Sequence, residues 1–102
     1  MAPARTYTFG PFVLIPERQL LLRRDTPVRI GGRALDLLTA LVEQPGVVVD
    51  KRDLLARVWP DTFVDEGNLK VNMSALRRAL DDGAEEARYI ATITGRGYLA
   101  PL

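Results

Sequence analysis

The segment Asn68-Leu69-Lys70-Val71-Asn72-Met73-Ser74-Ala75-Leu76-Arg77-Arg78-Ala79-Leu80, followed by Arg88-Tyr89-Ile90-Ala91-Thr92-Ile93-Thr94-Gly95-Arg96-Gly97-Tyr98, decides the fold. At about 100° per residue, Met73, Leu76 and Leu80 fall within about 40° of Leu69 and draw one narrow apolar stripe along a helix. The other side carries Gly67, Val71, Ser74, Ala75 and Arg78, flanked by Lys70 and Arg77. After Glu66, no acidic residue interrupts it until the helix ends. The second piece alternates apolar with small or polar residues from Tyr89 to Ile93. It turns at Thr94-Gly95-Arg96-Gly97 and returns through Tyr98-Leu99-Ala100, the pattern of a β-hairpin. A helix with a basic outer face therefore precedes a thin ribbon tipped by arginine, and both shapes suit grooves of duplex DNA.

Working outward, the charges of Asp65 and Glu66 suit a helix start, so the spacing predicts a third helix over about 66–80, closed by Asp81-Asp82-Gly83. The hairpin is predicted over about 89–100. Upstream, Asp61 to Glu66 is a loop. A second helix begins after Asp50, with Asp53 three residues on in a capping-box-like arrangement. Its apolar face is Leu54, Leu55, Val58 and Trp59, and Pro60 stops it. Val47-Val48-Val49 is a short extended run. Leu35, Leu38 and Leu41-Val42 recur at helical spacing, which predicts a largely buried first helix from Arg33 to Gln44, ended by Pro45-Gly46. Residues 7 to 30 read as a small antiparallel sheet: Tyr7-Thr8-Phe9, Phe12-Val13-Leu14-Ile15, Gln19 to Arg23 and Thr26 to Ile30, with turns at Gly10-Pro11, Pro16-Glu17 and Arg24-Asp25. Pro27 lacks an amide donor, which assigns its strand to an edge or places the proline at the strand start.

A chain of 102 residues, 47% hydrophobic and 26% charged, is expected to form one globular domain, 1–102. Met1 to Arg5 has no apolar run behind it, so no signal peptide is expected, and no apolar window is long enough to span a bilayer. A cytoplasmic location follows as the expectation. The absence of cysteine removes disulfides and thiolate metal sites. The absence of histidine removes the commonest general base and the commonest metal ligand, so neither a cofactor nor a metal is expected. Net charge is only +1. Its distribution matters more: Asp61, Asp65 and Glu66 form one acidic patch and Asp81, Asp82, Glu85 and Glu86 another, with Lys70, Arg77, Arg78, Arg88 and Arg96 between and around them.

The outer face of the third helix names its own chemistry. Small residues allow close approach of the backbone. Val71 and Ala75 suit thymine methyls, Ser74 a base edge or phosphate, and Lys70, Arg77 and Arg78 phosphates or guanine. At the ribbon tip, Gly95 and Gly97 leave Arg96 projecting, and a narrow minor groove attracts such a side chain. Asn72 and Thr94 complete the candidate contact set.

These elements in this order resemble the OmpR/PhoB-type winged-helix DNA-binding domain of bacterial regulators. The resemblance covers nearly the whole chain. Phe9-Gly10-Pro11-Phe12 with Leu20-Leu21-Leu22 is similar to the family's opening sheet, and Leu35-Asp36-Leu37-Leu38 with Pro45-Gly46-Val47-Val48-Val49 to its first helix and connection. Leu54 to Pro60 is similar to its second helix. Val71, Met73, Leu76 to Leu80, and Arg88-Tyr89-Ile90 through Gly95-Arg96-Gly97-Tyr98 are similar to its recognition helix and wing. The resemblance implies an α+β winged helix-turn-helix: an N-terminal four-stranded antiparallel sheet, three helices and a C-terminal β-hairpin wing. It implies double-stranded DNA as partner, the third helix in the major groove and the wing in the adjacent minor groove. It gives the loop Asp61, Thr62, Phe63, Val64, Asp65 and Glu66 to RNA polymerase contact, and it suggests a second copy in tandem on direct repeats. Several family members carry a long basic residue where this chain has Ser74 or Ala75. The early first strand resembles members whose DNA-binding domain precedes the rest of a larger phosphorelay or one-component regulator.

Two other readings compete. A winged helix without DNA binding would use the same helix against an acidic protein partner. An enzyme would have to rely on Asp61, Asp65 and Glu66 as a carboxylate or magnesium site, with neither histidine nor a phosphate-cradling loop to assist.

Overall fold

The computed structural model describes residues 5–82 and 88–101. Gly10 takes a left-handed φ of 55°, so β1 (Tyr7–Phe9) folds directly back on β2 (Phe12–Ile15) with Phe9 opposite Phe12. A 3-10 turn over Pro16–Arg18 leads to β3 (Leu20–Arg23), which sets Leu21 against Leu14. Arg24 and Asp25 both have left-handed φ, 48° and 69°, as a two-residue hairpin turn of the primed type requires. The short strand β4 (Thr26–Pro27) completes an antiparallel meander in the order β1-β2-β3-β4. Pro27 lies on its edge, where a missing donor breaks no ladder. The strand expected through Ile30 ends at Pro27; the Val28 amide still donates to the Leu21 carbonyl at 2.8 Å, and Val28 and Ile30 lie half-buried against the core.

The central element is α1 (Gly32–Val42). Every residue from Leu37 to Val42 is buried, as are Ala34 and Leu35, so it packs against both later helices and shares one core with Phe9, Phe12, Leu14 and Leu21 of the sheet. Next comes β5 (Val49–Asp50), where Asp50 accepts a bond from the Arg52 amide at 2.7 Å and so caps α2 (Lys51–Val58). Trp59 closes that helix. The Arg33 guanidinium lies 5.9 Å from the centre of its ring and donates to the Val58 carbonyl. Asp65 caps α3 (Glu66–Ala79) by accepting from the Asn68 amide at 3.2 Å. The predicted stripe of Leu69, Met73, Leu76 and Leu80 is buried throughout. At the far end Asp81 takes a left-handed φ of 53°. The Asp82 and Asp81 amides then donate to the carbonyls of Arg77 and Arg78, the two bonds of a Schellman cap. The expected closing glycine, Gly83, and the acidic Glu85 and Glu86 lie outside the described residues, as do Met1 to Ala4 and Leu102.

The C-terminal ribbon, β6 (Ala91–Ile93) and β7 (Gly97–Leu99), pairs as expected, Thr92 opposite Tyr98. The sheet has a third member, however. β5 pairs with β7, Val49 opposite Tyr98 and Asp50 opposite Gly97, in the order β5-β7-β6. Of the run Val47 to Val49, only Val49 joins a strand. The wing is thereby fastened to the start of α2, and the Lys51 amide donates to the Arg96 carbonyl at 3.2 Å. This pairing requires glycine at position 97, since a Cβ there would lie 2.8 Å from the Val49 carbonyl carbon and 3.1 Å from the Asp50 Cα.

Candidate nucleic-acid interface

With its apolar stripe in the core, α3 turns its other face outward. Lys70, Val71, Ser74, Ala75 and Arg78 are all exposed, Val71 at 69%. Val71 thus presents its methyl groups on the outer face of the helix. Among the described residues no hydrogen bond or ion pair holds the side chains of Lys70, Arg78 or Arg96, so all three charges are available to a ligand. Asn72 is half-buried, and its Nδ2 donates to the Asn68 carbonyl at 2.8 Å within the helix itself.

Arg77 is arranged differently. Its side chain turns toward the wing: Nη2 donates to the Ile90 carbonyl at 3.3 Å and to the Thr92 hydroxyl, and the guanidinium lies 5.9 Å from the Tyr98 ring centre. Its Nε is buried and finds no partner among the described residues. These contacts place β6 beside the C-terminal half of α3. The ribbon tip is Thr94, Gly95 and Arg96, all exposed. The Arg96 amide donates to the Ile93 carbonyl at 3.0 Å, with Gly95 at the turn position that takes a left-handed φ, here 76°.

One functional feature escaped the sequence reading. Asp82, only 5% exposed, holds the root of the wing. Its Oδ1 accepts from the Arg88 amide at 2.8 Å, and its Oδ2 accepts from the Tyr89 and Ile90 amides at 3.2 and 2.9 Å. A carboxylate that receives three main-chain donors is among the stronger local anchors a protein builds. An aspartate two places past a helix is the only sequence signal for it, and many such residues do nothing of the kind. Tyr89 is held from the other side by Phe9 and Phe12, with ring centres 5.6 and 5.5 Å away, so the root of the wing also rests on the N-terminal sheet.

The loop before α3 divides. Asp61, Thr62 and Phe63 are exposed, Phe63 fully, while Val64 packs against the core. Asp65 serves as the cap, and Glu66 belongs to the helix, with a carboxylate oxygen 3.7 Å from Lys51 Nζ. A mainly apolar hollow of about 530 Å³ lies between this loop and α2, bordered by Leu55, Trp59, Pro60 and Phe63. No helix among the described residues is long and apolar enough to cross a membrane.

The family model described as "Transcriptional regulatory protein, C terminal" matches residues 25–100. The chain is 37% identical over 94 residues to the transcriptional regulator HilA of Salmonella typhimurium, covering 92% of this chain and 17% of HilA. It is 28% identical over 95 residues to the transcriptional regulatory protein YvrH of Bacillus subtilis, covering 92% of this chain and 40% of that protein. The chain thus spans well under half the length of these relatives. Among solved structures, the DNA-binding domain of Klebsiella pneumoniae RstA in complex with the RstA box superposes with a TM-score of 0.82 at 28% identity, covering 96% of this chain and 99% of that one. The DNA-binding domain of CpxR from E. coli gives 0.81 at 28% identity, with 95% and 96% covered.

Proposed function

The chain belongs to the OmpR/PhoB-type transcriptional regulatory protein, C-terminal, family, and from that premise we propose that residues 1–102 form a domain that binds double-stranded DNA sequence-specifically to control transcription. In this reading α3 enters the major groove. Lys70 and Arg78 meet phosphates, Val71 and Ala75 meet thymine methyls, and Ser74 meets a base edge. Thr94 and Arg96 carry the wing into the neighbouring minor groove. The carrying observation is the set of Lys70, Arg78 and Arg96, unpartnered among the described residues and displayed on a helix and a ribbon that the Arg77 contacts hold side by side.

The resemblance to RstA bound to its box supports duplex DNA as the ligand class. The exposed Phe63, poised over the apolar hollow with Asp61 beside it, suits the same reading's assignment of this loop to RNA polymerase. With Lys70, Arg78 and Arg96 as the cations of this face, single-copy affinity is modest, and a second copy on a direct repeat supplies the remainder. The site of action is the cytoplasm, within a longer regulator.

Selection of bound sequences from a random duplex pool, followed by salt titration on the winning site, tests the proposal. Lys70 and Arg78 on phosphates, with the Arg96 charge in the minor groove, predict a log–log slope of about −2 to −3, since each released counterion contributes about 0.9. A folded domain that retains no duplex even at low salt would overturn the proposal and leave the same face to an acidic protein partner.

A further inference from the structure

We propose that Arg77 is a positioning residue that fixes the spacing between α3 and the wing, and that it does not neutralise a phosphate. This rests on the duplex-binding reading above. Four observations carry it. The guanidinium points at the wing and donates to both Ile90 and Thr92. It lies near the Tyr98 ring on the opposite strand, so it touches β6 and β7 together. Its Nε is buried without a partner among the described residues, a cost that water would relieve if the side chain swung outward. A cation held inward at that cost is placed for the contacts it makes inside.

The fourth observation is a closed circuit. The Arg77 carbonyl accepts from the Asp82 amide at 2.9 Å, the Asp82 carboxylate accepts from the Ile90 amide at 2.9 Å, and the Ile90 carbonyl accepts from the Arg77 side chain at 3.3 Å. Residues 77 and 90 are therefore joined twice, once directly and once through Asp82. Arg78, its exposed neighbour whose guanidinium has no partner among the described residues, is the arginine available to a phosphate. Two adjacent arginines thus divide the work: one faces the ligand and one faces the protein.

A binding cycle on the selected duplex tests the division. Arg96→Ala weakens binding about tenfold in the native background, equivalent to roughly 1.4 kcal/mol. In the Arg77→Ala background the same change weakens it by less than about threefold, because the wing no longer reaches its groove. Arg77→Lys does not rescue, since its ammonium ends one bond short of the Nη2 that donates to both Ile90 and Thr92 and has no planar face to set near the Tyr98 ring. Thr92→Val removes only the wing-side hydroxyl and reproduces part of the loss, and it adds nothing once Arg77 is alanine. Should Arg77→Ala fail to fold, Arg77→Lys and Thr92→Val carry the cycle alone. Additive losses, rescue by lysine, or a further fall of about 0.9 in the salt slope of the double variant would overturn the proposal in favour of phosphate contact. If the native domain binds no duplex, the reading beneath this one fails, and amide exchange in the free protein still decides the tether. Arg77→Ala, or Arg77→Lys in its place, speeds exchange at Ala91 to Ile93 by about fivefold or more, and unchanged exchange there refutes it.

Discussion

Replacing Asp82 with alanine removes one carboxylate and leaves three main-chain donors without their acceptor. The three losses are unequal. Ile90 is fully buried, so its amide goes unsatisfied, at about 1–3 kcal/mol. Arg88 is exposed and Tyr89 half-buried, so water replaces much of what their amides lose, and each costs about 0.5–1.5 kcal/mol. Relief of the carboxylate's own desolvation offsets part of this. The net loss is about 2–4 kcal/mol, a large share of the roughly 5–15 kcal/mol that stabilises a domain of this size. At about 4–8 °C per kcal/mol, Tm falls by at least about 8 °C. Asp82→Asn is milder, because the amide keeps one accepting oxygen but turns an N–H toward another N–H. Urea unfolding followed by circular dichroism reads the midpoint, and amide exchange at Ile90 reads the locus. An Asp82→Ala protein within about 0.5 kcal/mol of the native one would refute the view that this carboxylate anchors the wing.

Three further outcomes follow from the same geometry. Gly97→Ala drives a methyl into the backbone of β5 and should cost about 2–4 kcal/mol by denaturant unfolding, with the β5–β7 pairing lost first; a silent substitution would mean that the two strands separate without penalty. Asp81→Asn keeps a residue tolerant of left-handed backbone while removing a negative charge from the C-terminal end of α3. It should stabilise by about 0.3–1 kcal/mol at low salt, a gain that disappears at high salt, and a lower Tm would contradict it. Replacing the contacted thymines of the selected duplex with uracil deletes the methyls that Val71 and Ala75 are proposed to cover. Each should weaken binding about fourfold, from roughly 0.8 kcal/mol per buried methyl, and equal affinity for the two duplexes would remove methyl readout from the mechanism.

Local rules made much of this molecule legible. The core stripe of α3 follows from helical periodicity alone, and Leu69, Met73, Leu76 and Leu80 are buried as that period requires. Asp50 and Asp65 cap their helices through bonds spanning two or three residues, which short-range pattern captures. Pro27 sits on an edge because it has nothing to donate. The remainder depends on distance along the chain. β5 is two residues long and its partner lies almost fifty positions later, so no window around Val49 contains the reason it is a strand. Arg77 lies about 80° from Leu69, at the margin between the buried stripe and the outer face, where a long side chain has a choice. Thr92 in β6 and Ile90 just before it settle that choice, and periodicity does not see them. Asp82 is similar: its place after the helix was visible, but the three amides that converge on it were not.

The tilted and edge-on cluster of Phe9, Phe12 and Tyr89 bears on where this protein can be shortened. The family profile begins at residue 25, yet Phe9, Phe12, Leu14 and Leu21, all buried, precede that point. A fragment trimmed to the matched span would strip the greasy lid from α1 and unseat Tyr89, exposing a broad oily surface that invites clumping. The amino-terminal meander is therefore a keystone for the far end of the polypeptide, and expression boundaries drawn from homology alone would saw through it.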